Sequence, residues 1–315
     1  MQTRLSICIC TCDRPSMLLN CLDSINVQDN SLSWNVEILV VDNSADNSSP
    51  TVTHGLRMAI PMRFAHEPCK GIPFARNKAL EESVKNNADW IAFVDDDETA
   101  DRSWLRVMQS LAATANADVL HGQTESVSAE DHGPREWPQR VKKRRRKSGQ
   151  VLRTAGTDNV MFKSHLVTSQ GMALRFDENM RFSGGSDRDF FYRAYDRGAR
   201  ILWVPEAKTY ETIPASRRTF WYQVNRAQSV AANECYISAK RSGWGPAVTK
   251  IAPKAVGRLV TGLFLLPLGA LGMPTRSRTL RLLLLEASKR IGSAIGTFRG
   301  FINHRPSRYR NIHGN

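Results

Sequence analysis

The chain has 315 residues, 41% of them hydrophobic and 23% charged, enough to bury one large core or two smaller ones and too apolar for wholesale disorder. Lys and Arg outnumber Asp and Glu by 44 to 30, giving a formal charge of +14 and a pI near 9.9. That balance excludes an acidic, solvating protein and favours polyanionic partners such as nucleic acid, an anionic membrane surface or phosphorylated substrates.

In chain order, "RLSICIC" is an apolar, β-rich run, and "DRPSMLLNCLDSINVQ" has helical spacing with Pro15 near its start. The N-terminus enters this strand at once without a signal-peptide layout, so the catalytic part is expected in the cytosol. The runs "VEILVVDN", "PMRFAHE" and "WIAFVDDD" read as further strands, and "GIPFARNKALEESVKNN" as a helix between the last two. Strands alternating with helices imply a parallel, Rossmann-like sheet covered on both faces. Ligands of such sheets bind beyond the carboxyl ends of the strands, where Asp42 and the run Asp95, Asp96, Asp97 lie. The second half is less regular. It comprises a helix at "SWLRVMQSLAATAN", strands at "ADVLHGQTESV", "TDNVMFKSHLV" and "ARILWVPEAKTYET", and helices at "SDRDFFYRAYDRG" and "RRTFWYQVNRAQSVAANECYISAKRSG".

The C-terminal third changes character. "LVTGLFLLPLGALGM", from Leu259 to Met273, is flanked by Lys250, Lys254 and Arg258 and by Arg276, Arg278 and Arg281. A comfortable membrane span needs ~20 apolar residues. This shorter stretch carries Pro267 and several glycines, and is expected to form a surface-embedded or re-entrant hairpin. "TLRLLLLEASKRIGSAIGTFRG" reads as a basic amphipathic helix suited to an anionic bilayer.

Two features invite metal or nucleic-acid readings. The six cysteines include Cys8, Cys10 and Cys12 in a C-x-C-x-C pattern, which lacks the spacing of a zinc site and fits small hydrophobes in a reducing compartment. "VKKRRRKSG" reads as an exposed basic loop, able to meet anionic headgroups or a lipid-linked diphosphate. Its six basic residues, Lys142 to Lys147, lack interleaved aromatics for base stacking, so no nucleic-acid partner is expected.

The acidic run needs a positive counterpart. A divalent cation, Mn2+ or Mg2+, held by carboxylates and bridging the phosphates of a nucleotide-sugar, would offset the repulsion and stabilise the departing diphosphate. In an extended strand end Asp95 and Asp97 share one face while Asp96 points away. This assigns Asp97 to the metal and Asp95 to the metal shell or the ribose. A solvated acidic loop is the bland alternative.

Five stretches, "ICICTCDRP", "VEILVVDNSADNSS", "CKGIPFARNKALEES", "WIAFVDDDETAD" and "FSGGSDRDFFYRA", together resemble the inverting glycosyltransferases of family 2 with the GT-A fold, over about residues 4 to 215. "FVDDDETA", "SGGSDRDFF" and "PEAKTYETIPASR" resemble the ExoM-like glucosyltransferases of succinoglycan-type exopolysaccharide assembly within that family. The resemblance implies an α/β GT-A fold, a Rossmann-like mixed sheet with helices on both faces, followed by a helical membrane-associating region. It implies a UDP-hexose donor, a lipid-linked saccharide acceptor, and nucleotide-sugar contacts from Thr11, Arg14, Asp42, Arg76, Asp95 and Asp96. Asp95 and Asp97 match the D-x-D metal pair, and Asp187 matches the general base. An inverting displacement needs such a carboxylate to take the acceptor proton. Taken alone, Ser186 and Asp187 also suit a helix cap.

The sequence departs from the family pattern at Ser186, where Glu is usual, and at Asn43, where an acid is frequent. Tyr210 stands where ExoM-like proteins tend to have His, and Ala227 replaces the Trp of the processive synthases' Q-x-x-R-W, so transfer of one sugar per acceptor is expected. The rival readings are a degenerate, non-catalytic nucleotide-sugar or membrane-binding protein, a nucleic-acid-binding protein, and a nucleotidyltransferase, whose glycine-rich phosphate loop "TCDRPS" does not supply. The expected organisation is a catalytic domain at 1–240, with a donor half at 1–101 and an acceptor half at 102–240. A membrane-associating tail follows at 241–315, and the protein is expected at the cytoplasmic face of the inner membrane.

Overall fold

The computed structural model of the chain describes residues 2–30, 32–128, 146–271 and 277–302. Its first hundred residues build four parallel strands: β1 (Arg4–Thr11), β2 (Asn35–Asp42), β3 (Met62–His66) and β4 (Trp90–Val94), in the spatial order β3-β2-β1-β4. The sheet then becomes mixed. β8 (Asn159–Lys163) runs antiparallel to β4 and to β6 (Val119–Ser128), while β9 (Ile201–Ile213) runs parallel to β6. Short β5 (Glu98–Ala100) and β7 (Val151–Leu152) pair antiparallel with the two ends of β9. The alternation of β1 explains the layering, because successive side chains point to opposite faces. Leu5, Ile7 and Ile9 join one buried cluster, and Cys8 with Cys10 the other.

Helices seal both faces. In α1 (Pro15–Asn26) the buried residues Leu18, Cys21, Leu22 and Ile25 recur at helical spacing, and α1 packs on the same cluster as Trp104, Leu105 and Met108 of α4 (Trp104–Thr114). The opposite face receives Ala75, Ala79 and Leu80 of α3 (Ile72–Lys85) and Phe190, Phe191 and Ala194 of α5 (Ser186–Asp196). Phe176 and Phe190 stack at 4.5 Å beside Phe93 and Phe162, an aromatic floor beneath the start of α5. The one-turn α2 (Ser49–Val52) follows β2.

Two local expectations are corrected. The fourth strand stops at Val94; Asp95, Asp96 and Asp97 occupy a tight turn closed by the Glu98 N–H on the Asp95 carbonyl at 3.1 Å. Their burial nevertheless alternates, Asp95 and Asp97 half-buried and Asp96 buried. The hairpin expected at Leu259–Met273 is instead, as far as Ala270, the second half of a continuous helix, α7 (Trp244–Ala270), which accommodates Pro253 and Pro267; positions 272 and 273 lie outside the described residues. Of the basic run, positions 142–145 also lie outside them, while Arg146 stands over the Trp203 ring at 5.0 Å.

The C-terminal helices pack through glycine. α7 and α8 (Arg278–Phe301) run antiparallel, with Gly262 and Gly269 against Ala287 and Leu284. On its other side α8 presents Gly292, Gly296 and Gly300 to the backbone of α6 (Phe220–Ser242); a Cβ on Gly300 would stand 2.8 Å from the Ala232 carbonyl oxygen. Only hydrogen fits there. α6 in turn grips α5: Arg188 pairs with Glu234 at 2.7 Å, Lys240 with buried Asp189 at 3.1 Å, and Arg241 with Asp196 at 2.7 Å.

Candidate functional site

The site forms where the carboxyl ends of β1 and β4 meet the start of α5, around the Asp95–Asp97 turn. Three arginines from distant parts of the chain converge on these acids. Arg14, just before α1, reaches Asp96 Oδ1 at 3.0 Å and Asp97 Oδ2 at 3.5 Å. Arg76 on α3 stands 3.4 Å from Asp95 Oδ1. Arg217, in the turn after β9, lies 3.2 Å from Asp97 Oδ2 and 3.3 Å from Glu211 Oε1. Thr11, at the end of β1, donates its hydroxyl to Asp96 Oδ2 at 2.8 Å. Asp96 is therefore turned toward Thr11 and Arg14.

Placing so many carboxylates together raises their proton affinity. Burial, partly offset by Arg76 and reinforced by Asp97, pushes Asp95 up to about 7, although its side chain stays 41% exposed to the cleft. Burial likewise pushes Asp96 up to about 6 against the pull of Arg14. Glu98, only 2% exposed, is pushed up to about 11 by burial and by the Asp95 and Asp158 carboxylates. Its Oε2 is buried without a hydrogen-bond partner.

Asp187 occupies the second position of α5, and the residue preceding the helix is Gly185 in the left-handed conformation. Asp187 is thus not the cap. Burial raises its pKa, with the Arg76 guanidinium as the strongest opposing influence, so Arg76 is a common electrostatic neighbour of Asp95 and Asp187. Asp42 sits apart from this group. Its carboxylate, 1% exposed, accepts the Ser44 N–H at 2.8 Å and the Ser49 N–H at 2.7 Å, together with the Ser44 hydroxyl. It secures the loop between β2 and α2.

Tyr210 donates to Asp101 at 3.3 Å, and Gln223 reaches the Arg218 carbonyl at 3.4 Å. All six cysteines are free thiols; Cys8, Cys21 and Cys235 are buried, Cys10 and Cys12 half-buried and Cys69 exposed. Glu98, Asp158, Glu211 and Arg217 belong to the cleft but carried no sequence assignment. A signal existed for Arg217 in "PEAKTYETIPASR" and for Glu98 in "DDDE"; Asp158 had only its place before an apolar run.

The donor set suits a hard divalent cation. Asp95 and Asp97 offer carboxylate oxygens. Among the described residues no three His, Cys, Asp or Glu side chains form a preassembled cluster.

Comparison with known proteins is consistent with this architecture. Solved structures share the fold at 16% identity: S. aureus TarS 1–349 in complex with UDP-GlcNAc, with a TM-score of 0.56 covering 95% of this chain and 92% of that one, and the mannosyltransferase PcManGT from Pyrobaculum calidifontis in complex with GDP-Man and Mn2+, with a TM-score of 0.57 covering 95% and 88%. The succinoglycan biosynthesis protein ExoM of Rhizobium meliloti (strain 1021) is 28% identical over 255 residues, 76% of this chain and 77% of that protein. The sheet and its cleft thus define an enzyme of the glycosyltransferase class with the GT-A fold. The chain belongs to glycosyl transferase family 2, whose model matches residues 6–179. Asp187 lies just beyond that match.

Proposed function

We propose that this glycosyltransferase moves a hexose, glucose from UDP-glucose, onto a lipid-diphosphate-linked saccharide with inversion, at the cytoplasmic face of an anionic inner membrane. The observation that carries the reading is the meeting of Asp187, at the start of α5, with the Asp95–Asp97 turn across the shared Arg76 guanidinium. The ExoM relative supports a role in exopolysaccharide assembly, and the solved neighbours support a nucleotide-sugar donor.

In the proposed reaction the nucleotide lies along Thr11 and Arg14, with Asp42 shaping the β2–α2 loop beside it through its bonds to Ser44 and Ser49, and Arg76 meets the diphosphate. The acceptor oxygen attacks the anomeric carbon as its proton passes to Asp187. The bond from that carbon to the β-phosphate oxygen breaks, and the nucleoside diphosphate leaves with the bonding pair. A single displacement of this kind inverts the anomeric centre and gives a β-linkage from an α-linked donor. Asp95 and Asp97 would hold the divalent cation, which when bound supplies Lewis-acid stabilisation of the leaving diphosphate. The carboxylates of the cleft outnumber its three guanidiniums, so a bare diphosphate is repelled unless a cation accompanies it.

Residues 1–101 form the proposed donor half, 102–240 the acceptor half, and 241–315 the membrane-associating region. α7 is long and apolar enough to cross a bilayer. It lies against α8 along its length, however, and crossing would carry the Glu286–Lys289 pair and Arg290 of α8 into hydrocarbon at considerable cost. A position in the interface avoids that cost. Val256, Val260, Leu263, Phe264 and Leu268 form an exposed stripe on α7, and Lys250, Lys254 and Arg258 extend along its flank.

The test is transfer from UDP-glucose to membrane acceptor, with the product anomer read by NMR and donor binding by calorimetry with and without Mn2+. A β-linked product and Mn2+-dependent UDP binding are expected. Donor binding without any transfer would instead identify a degenerate, non-catalytic protein.

A further inference from the structure

Asp158 takes no part in the chemistry set out above, yet the fold delivers it to the same cleft. β8 runs antiparallel to β4 with Asn159 opposite Val94, so the residue just before β8 lies beside the residue just after β4. Those residues are Asp158 and Asp95. One comes from the acceptor half, the other from the donor half.

The Asp158 side chain is held in one orientation. Thr124 donates its hydroxyl to Asp158 Oδ2 at 2.7 Å, and Thr124 is itself bonded to Thr209 at 3.0 Å. The second oxygen, Oδ1, turns toward Gly156. A Cβ on Gly156 would fall against Asp158 Oδ1 and 3.7 Å from Asp187 Oδ2. Asp158 Oδ1 thus occupies the space that a side chain at Gly156 would fill, and this close packing on glycine brings it near the Asp187 carboxylate. Asp158 is only half-buried, and among the described residues it has no cation within ion-pair distance. Its Oδ1 is free to accept a hydrogen bond from outside the chain.

An independent observation indicates that a polar ligand belongs here. Glu98 Oε2 is buried without a partner, and its strongest charged neighbours are Asp95 and Asp158. A buried polar atom left unpaired is costly unless something from outside completes it. Hydroxyl-rich molecules fit: each hydroxyl donates to a carboxylate, and neighbouring hydroxyls on a sugar ring reach two carboxylates at once.

We propose that Asp158 binds the acceptor saccharide, accepting a hydrogen bond from the hydroxyl next to the attacking one and so fixing which acceptor oxygen faces Asp187. This rests on the transferase reading given above. It makes Asp158 a specificity-determining residue for a polyhydroxylated sugar terminus, with Thr124 as its support and Gly156 leaving the room its Oδ1 occupies.

Asp158→Asn and Asp158→Glu test it. Transfer from UDP-glucose is followed while titrating membranes from source cells that lack this protein and so accumulate its acceptor. Asp158→Asn is expected to raise the half-saturating amount of membrane about tenfold or more, the effect of losing a charge-assisted hydrogen bond, with a much smaller change in kcat. Gly156→Ala, whose added methyl displaces Oδ1, should shift saturation the same way, and Asp158→Glu should recover part of the loss. UDP-glucose affinity by calorimetry should stay within about threefold, because Asp158 contacts the acceptor and not the donor. Unchanged acceptor saturation in Asp158→Asn, or an equal loss of donor affinity, overturns the assignment. Wild-type protein that binds UDP-glucose yet transfers nothing would instead defeat the transferase reading on which it rests.

Discussion

Phe264 is the most exposed residue of the α7 stripe, at 75%. If that stripe rests in a bilayer interface, the ring is the largest single apolar contribution to membrane binding. Fully burying a Phe side chain is worth about 1.5–3 kcal/mol relative to exposure. Three-quarters of that range is about 1.1–2.2 kcal/mol, or roughly a six- to fortyfold change in partitioning. Phe264→Ser should therefore weaken binding to vesicles of phosphatidylglycerol and phosphatidylcholine by that factor in a sedimentation assay, while the catalytic domain keeps its melting temperature. The basic flank acts separately. Neutralising Lys250 and Lys254 together should remove about 2 kcal/mol, from about 1 kcal/mol per basic residue near an anionic surface, and this loss should vanish on purely zwitterionic vesicles. If Phe264→Ser binds anionic vesicles as well as wild type does, the exposed stripe does not face lipid and the interfacial placement fails.

Asp187→Asn should abolish transfer while leaving UDP-glucose binding nearly intact, measured by single-turnover assay and calorimetry; retained transfer would refute the base assignment. Because burial raises Asp187 and only its deprotonated form can accept a proton, the acid limb of kcat should have its midpoint above the ordinary carboxylate value of about 3.9. For Asp42 the sign is opposite: burial acts to raise it, but hydrogen bonds from Ser44 and Ser49 outweigh this and hold it below the usual range. Its stabilising contribution is present above the ordinary carboxylate pKa and lost as pH falls through its own lower value, so Asp42→Asn should cost about 2–4 kcal/mol near neutrality in denaturant melts and flatten the acid limb of stability. Gly296→Val should destabilise the α6–α8 contact by about 1–3 kcal/mol or more, because its side chain would run into the Gln228 carbonyl; thermal unfolding checks this.

The first hundred residues of the fold were legible because their signals are local. Apolar runs such as Leu5 to Cys10 and Leu39 to Val41 end in polar residues, and the intervening helices carry their buried residues at helical spacing. The tail was less legible because hydropathy and helix length are set by different contacts. Pro267 and the glycines of Leu259–Met273 suggested a broken element, yet α8 covers Gly262 and Gly269 so closely that the helix gains by remaining continuous against it. The spacing of Gly292, Gly296 and Gly300 was visible in "IGSAIGTFRG", but amphipathic character alone does not reveal which face meets a partner helix.

The cleft shows the same division between local and distant information. Asp95 to Asp97 stand out because they are adjacent in sequence and physically intolerable without a counter-charge. The counter-charges arrive from Arg14, Arg76 and Arg217, the last 120 residues away along the chain, through β9 and the turn that follows it. Asp158 is also distant in sequence, brought beside Asp95 by the antiparallel register of β4 and β8. A carboxylate preceding a strand has no distinguishing mark until the sheet assigns it a neighbour. Long-range strand pairing thus decides which acids meet, and an electrostatic cost that is obvious at one strand end becomes a shared cluster only when a second strand end closes on it.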